Sequence, residues 1–185
     1  MTTSTTIERA KSPTGHERFF REDEMIVSKT DPSGRLVYAN DVFLTIAGYT
    51  EREVLGQPHS MIRHPDMPRG VFALLWETIA SGSEIFAYVV NLAKNGDHYW
   101  VFAHVTPTFG PAGEIVGYHS SRRVPSASAL RTIIPLYAEM SAVERAQPSK
   151  REAVLASRAL LDRKLEALGV AYDELMFALE TGKEA

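Results

Sequence analysis

Cysteine is absent from the 185-residue sequence, which excludes disulfides, thiolate metal sites and a cysteine nucleophile. No apolar run approaches the ~20 residues needed to cross a bilayer, and the opening MTTSTTIERAKSPTG has no apolar stretch of the signal-peptide kind. The expectation is a cytoplasmic protein, neither inserted nor secreted, since a reducing compartment suits a chain without disulfides. Charge of one sign is missing as well: 20 Lys and Arg stand against 23 Asp and Glu, the net charge is −3, and no dense basic cluster occurs. Nucleic acid is therefore a poor candidate partner. No G-x-S-x-G, phosphate-loop or H-E-x-x-H sequence is present, and the carboxylates form no pair distinguishable from a solvated face, so the residues give no support to an enzyme. What is present, 44% apolar residues, is enough for one globular domain with an appendage.

Residues 1–22 are rich in Thr, Ser and charge, are broken by Pro13 and Gly15, and read as a mobile N-terminal arm. Two β-prone runs, from Met25 and from Arg35, flank the turn Asp31-Pro32-Ser33-Gly34 and predict a hairpin. Asn40 suits the cap of a short helix that Gly48 ends, and Thr50 with Glu53 has capping-box spacing for another. Pro65 and Pro68 forbid regular helix between Arg63 and Pro68, with Pro68 placed to start the next helix. Phe72, Leu75, Trp76 and Ile79 then form one apolar stripe.

Three β-like runs follow, Ile85 to Leu92, His98 to Thr106 and Ile115 to Ser121, joined by Lys94-Asn95-Gly96-Asp97, with Asn-Gly as a tight turn, and by the longer loop Phe109-Gly110-Pro111-Ala112-Gly113, both too short for anything but antiparallel pairing. Such an order predicts an α+β fold: a five-stranded antiparallel sheet with short helices on one face. The middle strands are apolar on both faces, so both faces must be covered. A pocket is expected on the helical side, with an interface to terminal segments or a partner on the other. Residues 125–185 read as a helical extension, with a capping box at Ser149 and Glu152, Val154, Leu161, Leu165 and Leu168 on one face, and a stop at Gly169.

Residues 23–124 resemble a PAS sensory domain. The resemblance is carried by Thr30-Asp31-Pro32-Ser33-Gly34-Arg35-Leu36-Val37-Tyr38-Ala39-Asn40, by Ala47-Gly48-Tyr49-Thr50, by Leu55-Gly56-Gln57-Pro58-His59 and by Lys94-Asn95-Gly96-Asp97-His98-Tyr99-Trp100. Met61-Ile62-Arg63-His64-Pro65-Asp66-Met67-Pro68 is similar to the segment that marks the aerotaxis-receptor branch. The sequence has Ile85-Phe86 and Leu92-Ala93 where that branch often has Trp and basic residues.

This resemblance implies FAD bound noncovalently in the PAS pocket, and a role in redox or oxygen-linked signalling. The lack of cysteine excludes a photoreceptor that bonds flavin through one. The implied cofactor residues are Arg63, His64, Asp66 and Trp76. Arg63 can offer planar bidentate donors to a diphosphate, or brace its loop by pairing with Asp66. Trp76 can stack on the cofactor or simply pack. Asn91 can hydrogen-bond a flavin edge or serve the sheet alone. The histidines leave haem open, with His59, His64 or His98 as axial ligand. The expected partners are a second copy in a homodimer and a separate chemotaxis-type transducer. A cofactor-free adaptor is the other reading.

Overall fold

The computed structural model describes residues 12–182. β1 (Ile26–Thr30) and β2 (Leu36–Ala39) form the first hairpin. Asn40 then caps α1 (Asp41–Ala47), accepting the Phe43 N–H at 3.0 Å, and Gly48 ends it with φ 74°. The Asn40 amide also accepts the Val27 N–H at 3.0 Å and donates to the Met25 carbonyl at 2.8 Å, so one side chain ties the helix start to β1. α2 (Glu51–Val54) carries the expected capping box. A 3-10 turn (His59–Ile62) leads through the proline-braced loop to α3 (Arg69–Ala80). Three long strands, β3 (Ile85–Leu92), β4 (His98–Phe109) and β5 (Ile115–Arg123), complete the antiparallel sheet in the order β2-β1-β5-β4-β3. The chain ends in α4 (Ala127–Arg145), α5 (Lys150–Leu168) and α6 (Tyr172–Thr181).

The apolar core lies between the sheet and α1–α3, around Phe43, Ile62, Ile79 and Val101. On the opposite face, the third strand and fourth strand meet the C-terminal helices: Phe177 sits 4.6 Å from Phe86 between ring centroids, and Trp100 lies 6.0 Å from Tyr137. The Tyr88 hydroxyl donates to Glu180 at 2.8 Å. Tyr137 in turn donates to the Tyr88 carbonyl at 2.7 Å, filling a main-chain acceptor of the sheet's edge strand. α5 packs instead on α3, where Gly70 allows contact so close that a Cβ there would stand 2.0 Å from Ser157 Oγ.

Three local expectations change. The part of the N-terminal arm within the described residues is tied down: His98 donates to the His16 carbonyl at 2.9 Å and accepts from Arg18 N–H at 2.7 Å. The register explains this, because β5 pairs with β4 only from Phe102 onward, leaving the main chain of His98 open on that side. Residues 1–11 of the arm lie outside the described residues. In the β3–β4 turn only Gly96 has positive φ, 97°, with the Ala93 N–H bonded to the Asp97 carbonyl. That is a three-residue loop, longer than the two-residue turn that Asn-Gly suggests. In α5 the buried residues are Ala153, Ser157 and Leu161, while Leu168 is exposed. Close approach to Gly70 selects small residues on that face.

Candidate cofactor cavity

A cavity of about 430 Å³ opens between the sheet and α3, within the ~300–1,000 Å³ usual for small-molecule sites. Alternation along the strands sends Ser28 and Thr30 of β1, Asn91 of β3 and Ser120 and Arg122 of β5 to its floor. Phe72 and Trp76 of α3 form the facing wall, together with Arg63 and Arg69. Trp76 meets Tyr118 edge-on at 5.5 Å and reaches across to the β1–β2 turn, where a Cβ on Gly34 would lie 3.0 Å from its ring. Lys150 and Val154 of α5 close the rim.

Arg122 is buried, and its Nη2 contacts both Ser28 Oγ at 2.9 Å and His59 Nε2 at 2.7 Å. Guanidinium nitrogens only donate, so His59 must accept at Nε2 and carry its proton on Nδ1. Burial, followed by the Arg122 charge, depresses the His59 pKa to about 3. Burial lowers Arg122 itself to about 10, still cationic at neutral pH. Among the described residues its Nη1 has no partner, and neither do Thr30 Oγ1, Asn91 Nδ2 and Ser120 Oγ, all buried and all on residues of the cavity floor. Buried polar atoms without partners are costly in an apolar wall unless a ligand or water satisfies them.

Of the five residues implied by the sequence, Arg63, Trp76 and Asn91 line the cavity, and His64 and Asp66 do not. The Arg63 guanidinium lies 4.2 Å from the Phe72 ring centroid and its Nη2 is 3.4 Å from the Met67 carbonyl, so it braces the loop without Asp66. His64 is buried outside the cavity, edge-on to His98 at 5.8 Å, and its Nδ1 accepts the Asp66 N–H at 3.1 Å. The Asp66 carboxylate is largely exposed. Arg122 lies one residue beyond Ser121, where the sequence pattern ends the last strand, because β5 continues to Arg123. Tyr118, Ser120 and Arg122 recur at period two, and that alternation was the available signal.

Residues 36–122 match the PAS fold family. Residues 36–122 have the PAS fold. Over 121 residues it is 41% identical to the aerotaxis receptor of Escherichia coli K12, a match covering 65% of this chain and 24% of that protein. It is also 28% identical over 102 residues to the nitrogen fixation regulatory protein of Klebsiella pneumoniae, covering 55% and 21%. The chain thus spans about a quarter or less of these curated relatives. Among solved structures, the dark form of the blue-light photoreceptor Aureochrome1 LOV aligns with TM-score 0.53 and 24% identity, over 60% of this chain and 82% of that one, which establishes the shared fold.

Proposed function

We propose that this PAS chain is a noncatalytic, cytoplasmic redox sensor that holds FAD noncovalently in the cavity and relays its state to a partner protein. The observation that carries the reading is the floor of the cavity: four buried polar atoms, one of them on the buried arginine Arg122, that have no partner among the described residues. Among the described residues the lining includes Arg63, Arg69, Arg122 and Lys150 and no Asp or Glu, so it suits an anionic ligand. The residues present fit a flavin, whose ring is flat and apolar on its faces and polar along one edge. A solved light-oxygen-voltage domain of the same fold, 21% identical, is described with a flavin analogue. The name of the relative from Escherichia coli, an aerotaxis receptor, supports redox or oxygen-linked signalling.

A bound flavin supplies a redox couple whose ring changes its charge and hydrogen-bond donors on reduction. Asn91 and Arg122 are positioned to respond, because an amide can present either donor or acceptor and a guanidinium favours negative charge. Asn91 shares β3 with Tyr88, which binds α4 through its carbonyl and α6 through its hydroxyl. A shift at the floor thereby biases the packing of the C-terminal helices, which present the change to a second copy of the chain or to a transducer. The geometry favours flavin over haem, because Nε2 of His59, the histidine of the cavity, is engaged by Arg122. The cavity also weighs against a cofactor-free adaptor, which needs no such space.

The test is the visible spectrum of the purified protein before and after dithionite, with identification of any cofactor released by heat. Flavin bands that bleach are expected; a Soret band, or a colourless protein that refuses added FAD, overturns the proposal. Loss of one charged contact, about 1.5–3 kcal/mol, should weaken FAD binding by at least about tenfold in Arg63→Ala, with far-UV circular dichroism unchanged.

A further inference from the structure

The mouth of the cavity is built from two parts of the chain that lie far apart in sequence. Arg69 opens α3 and Lys150 opens α5, and both side chains are exposed at the cavity rim. The face of α5 that begins with Lys150 continues through Val154, also on the rim, to Ser157 against Gly70 and to buried Leu161. One helical stripe therefore runs from the cavity mouth into the core, so the position of Lys150 is fixed by the docking of α5 on α3.

Nearby acids are engaged with other partners and form no ion pair with this rim among the described residues, although the Glu144 carboxylate offsets part of the Arg63 charge. Glu77 of α3 is paired with Arg158 at 2.8 Å, Glu152 of α5 accepts from Ser149 Oγ at 2.6 Å, and Glu144 of α4 accepts the Gly70 N–H at 3.0 Å. The last contact stands in for the missing side-chain cap of α3, whose N-cap is Pro68. Arg63, Arg69 and Lys150 form no ion pair among the described residues. Three cations around one opening repel each other, and a ligand bearing two negative phosphates relieves that repulsion.

We propose that α5 completes the cofactor site, with Lys150, Arg69 and Arg63 forming a cationic rim for the diphosphate of a flavin dinucleotide and Val154 closing its wall. This rests on the flavin reading of the cavity and adds two consequences. The site selects the dinucleotide over the uncharged vitamin, riboflavin, which reaches only the interior. Dinucleotide binding and docking of α5 on α3 are also linked, each strengthening the other, so the C-terminal helices sense occupancy directly.

Titration of the full chain with FAD and with riboflavin, followed by quenching of flavin fluorescence, tests the inference. Lys150→Glu replaces attraction by repulsion at an exposed site, so FAD should bind about five- to tenfold more weakly and riboflavin within about twofold of the unsubstituted chain. Added salt should weaken FAD in the same selective way. Amide hydrogen exchange across residues 150–161 should slow with FAD and not with riboflavin. If the unsubstituted chain binds FAD while Lys150→Glu changes neither ligand, or if FAD leaves exchange in α5 unaltered, the inference falls and the cavity reading survives. A chain that takes up neither flavin overturns both.

Discussion

A single buried arginine sets the electrostatics of the cavity floor. Burial first, and then the charge of Arg122, which donates to His59 Nε2, hold that imidazole neutral, with a pKa near 3. Unfolded, the same histidine takes a proton near its ordinary value of about 6.5. Between those limits the unfolded chain binds more protons than the folded one, so the His59 contribution is complete above about pH 6.5 and is lost as the pH falls. The expected decline is up to about 1.4 kcal/mol per pH unit. Urea titrations between pH 7.5 and 5 measure it, and His59→Gln should flatten that part of the profile. Asn40 is the second residue whose loss should be felt. It caps α1 and bonds both Val27 and Met25, so Asn40→Ala should destabilise the fold by about 2–3 kcal/mol in the same assay.

At the scale of elements, what could be read from the chain was local chemistry, and what could not was contact between distant segments. The caps at Asn40, Thr50 and Ser149 and the stops at Gly48 and Gly169 are rules of a few neighbouring residues, and the structure follows them. The buried stripe of α5 obeys a different constraint: Ser157 meets Gly70, which lies far earlier in the chain, and no periodicity within α5 shows that. The bond from His98 to His16 depends likewise on where β5 stops. Within the cavity, the proline-braced loop and Asn91 could be anticipated, whereas Arg122 needed the full length of β5 and Lys150 needed the docking of another helix. The α3–α5 contact gives its own prediction. Alanine suits a helix better than glycine by about 1 kcal/mol, but at Gly70 its Cβ would stand 3.1 Å from the Arg158 backbone as well as 2.0 Å from Ser157 Oγ. Overpacking of about 1–3 kcal/mol should win, so Gly70→Ala should lower the melting temperature.

Over the whole molecule, the sheet is covered from both sides, by α1–α3 across the cavity and by α4 and α6 over Phe86, Tyr88 and Trp100. Removing residues 125–185 should bare that second aromatic surface. Size-exclusion chromatography with light scattering should then show association or precipitation, whereas an unchanged monodisperse species would mean that the helices do not protect it. The borders of the sheet matter in another way. At β3, the Tyr88 carbonyl is taken by Tyr137 and Asn91 is bridged by Arg63; at β2, both main-chain groups of Leu36 are taken by Gly56 and Gln57. Neither border offers an uninterrupted template to an incoming strand. Strand addition along either border is thereby interrupted, which disfavours fibrillar growth from the folded state and leaves side-chain surfaces as the easier way for copies to meet.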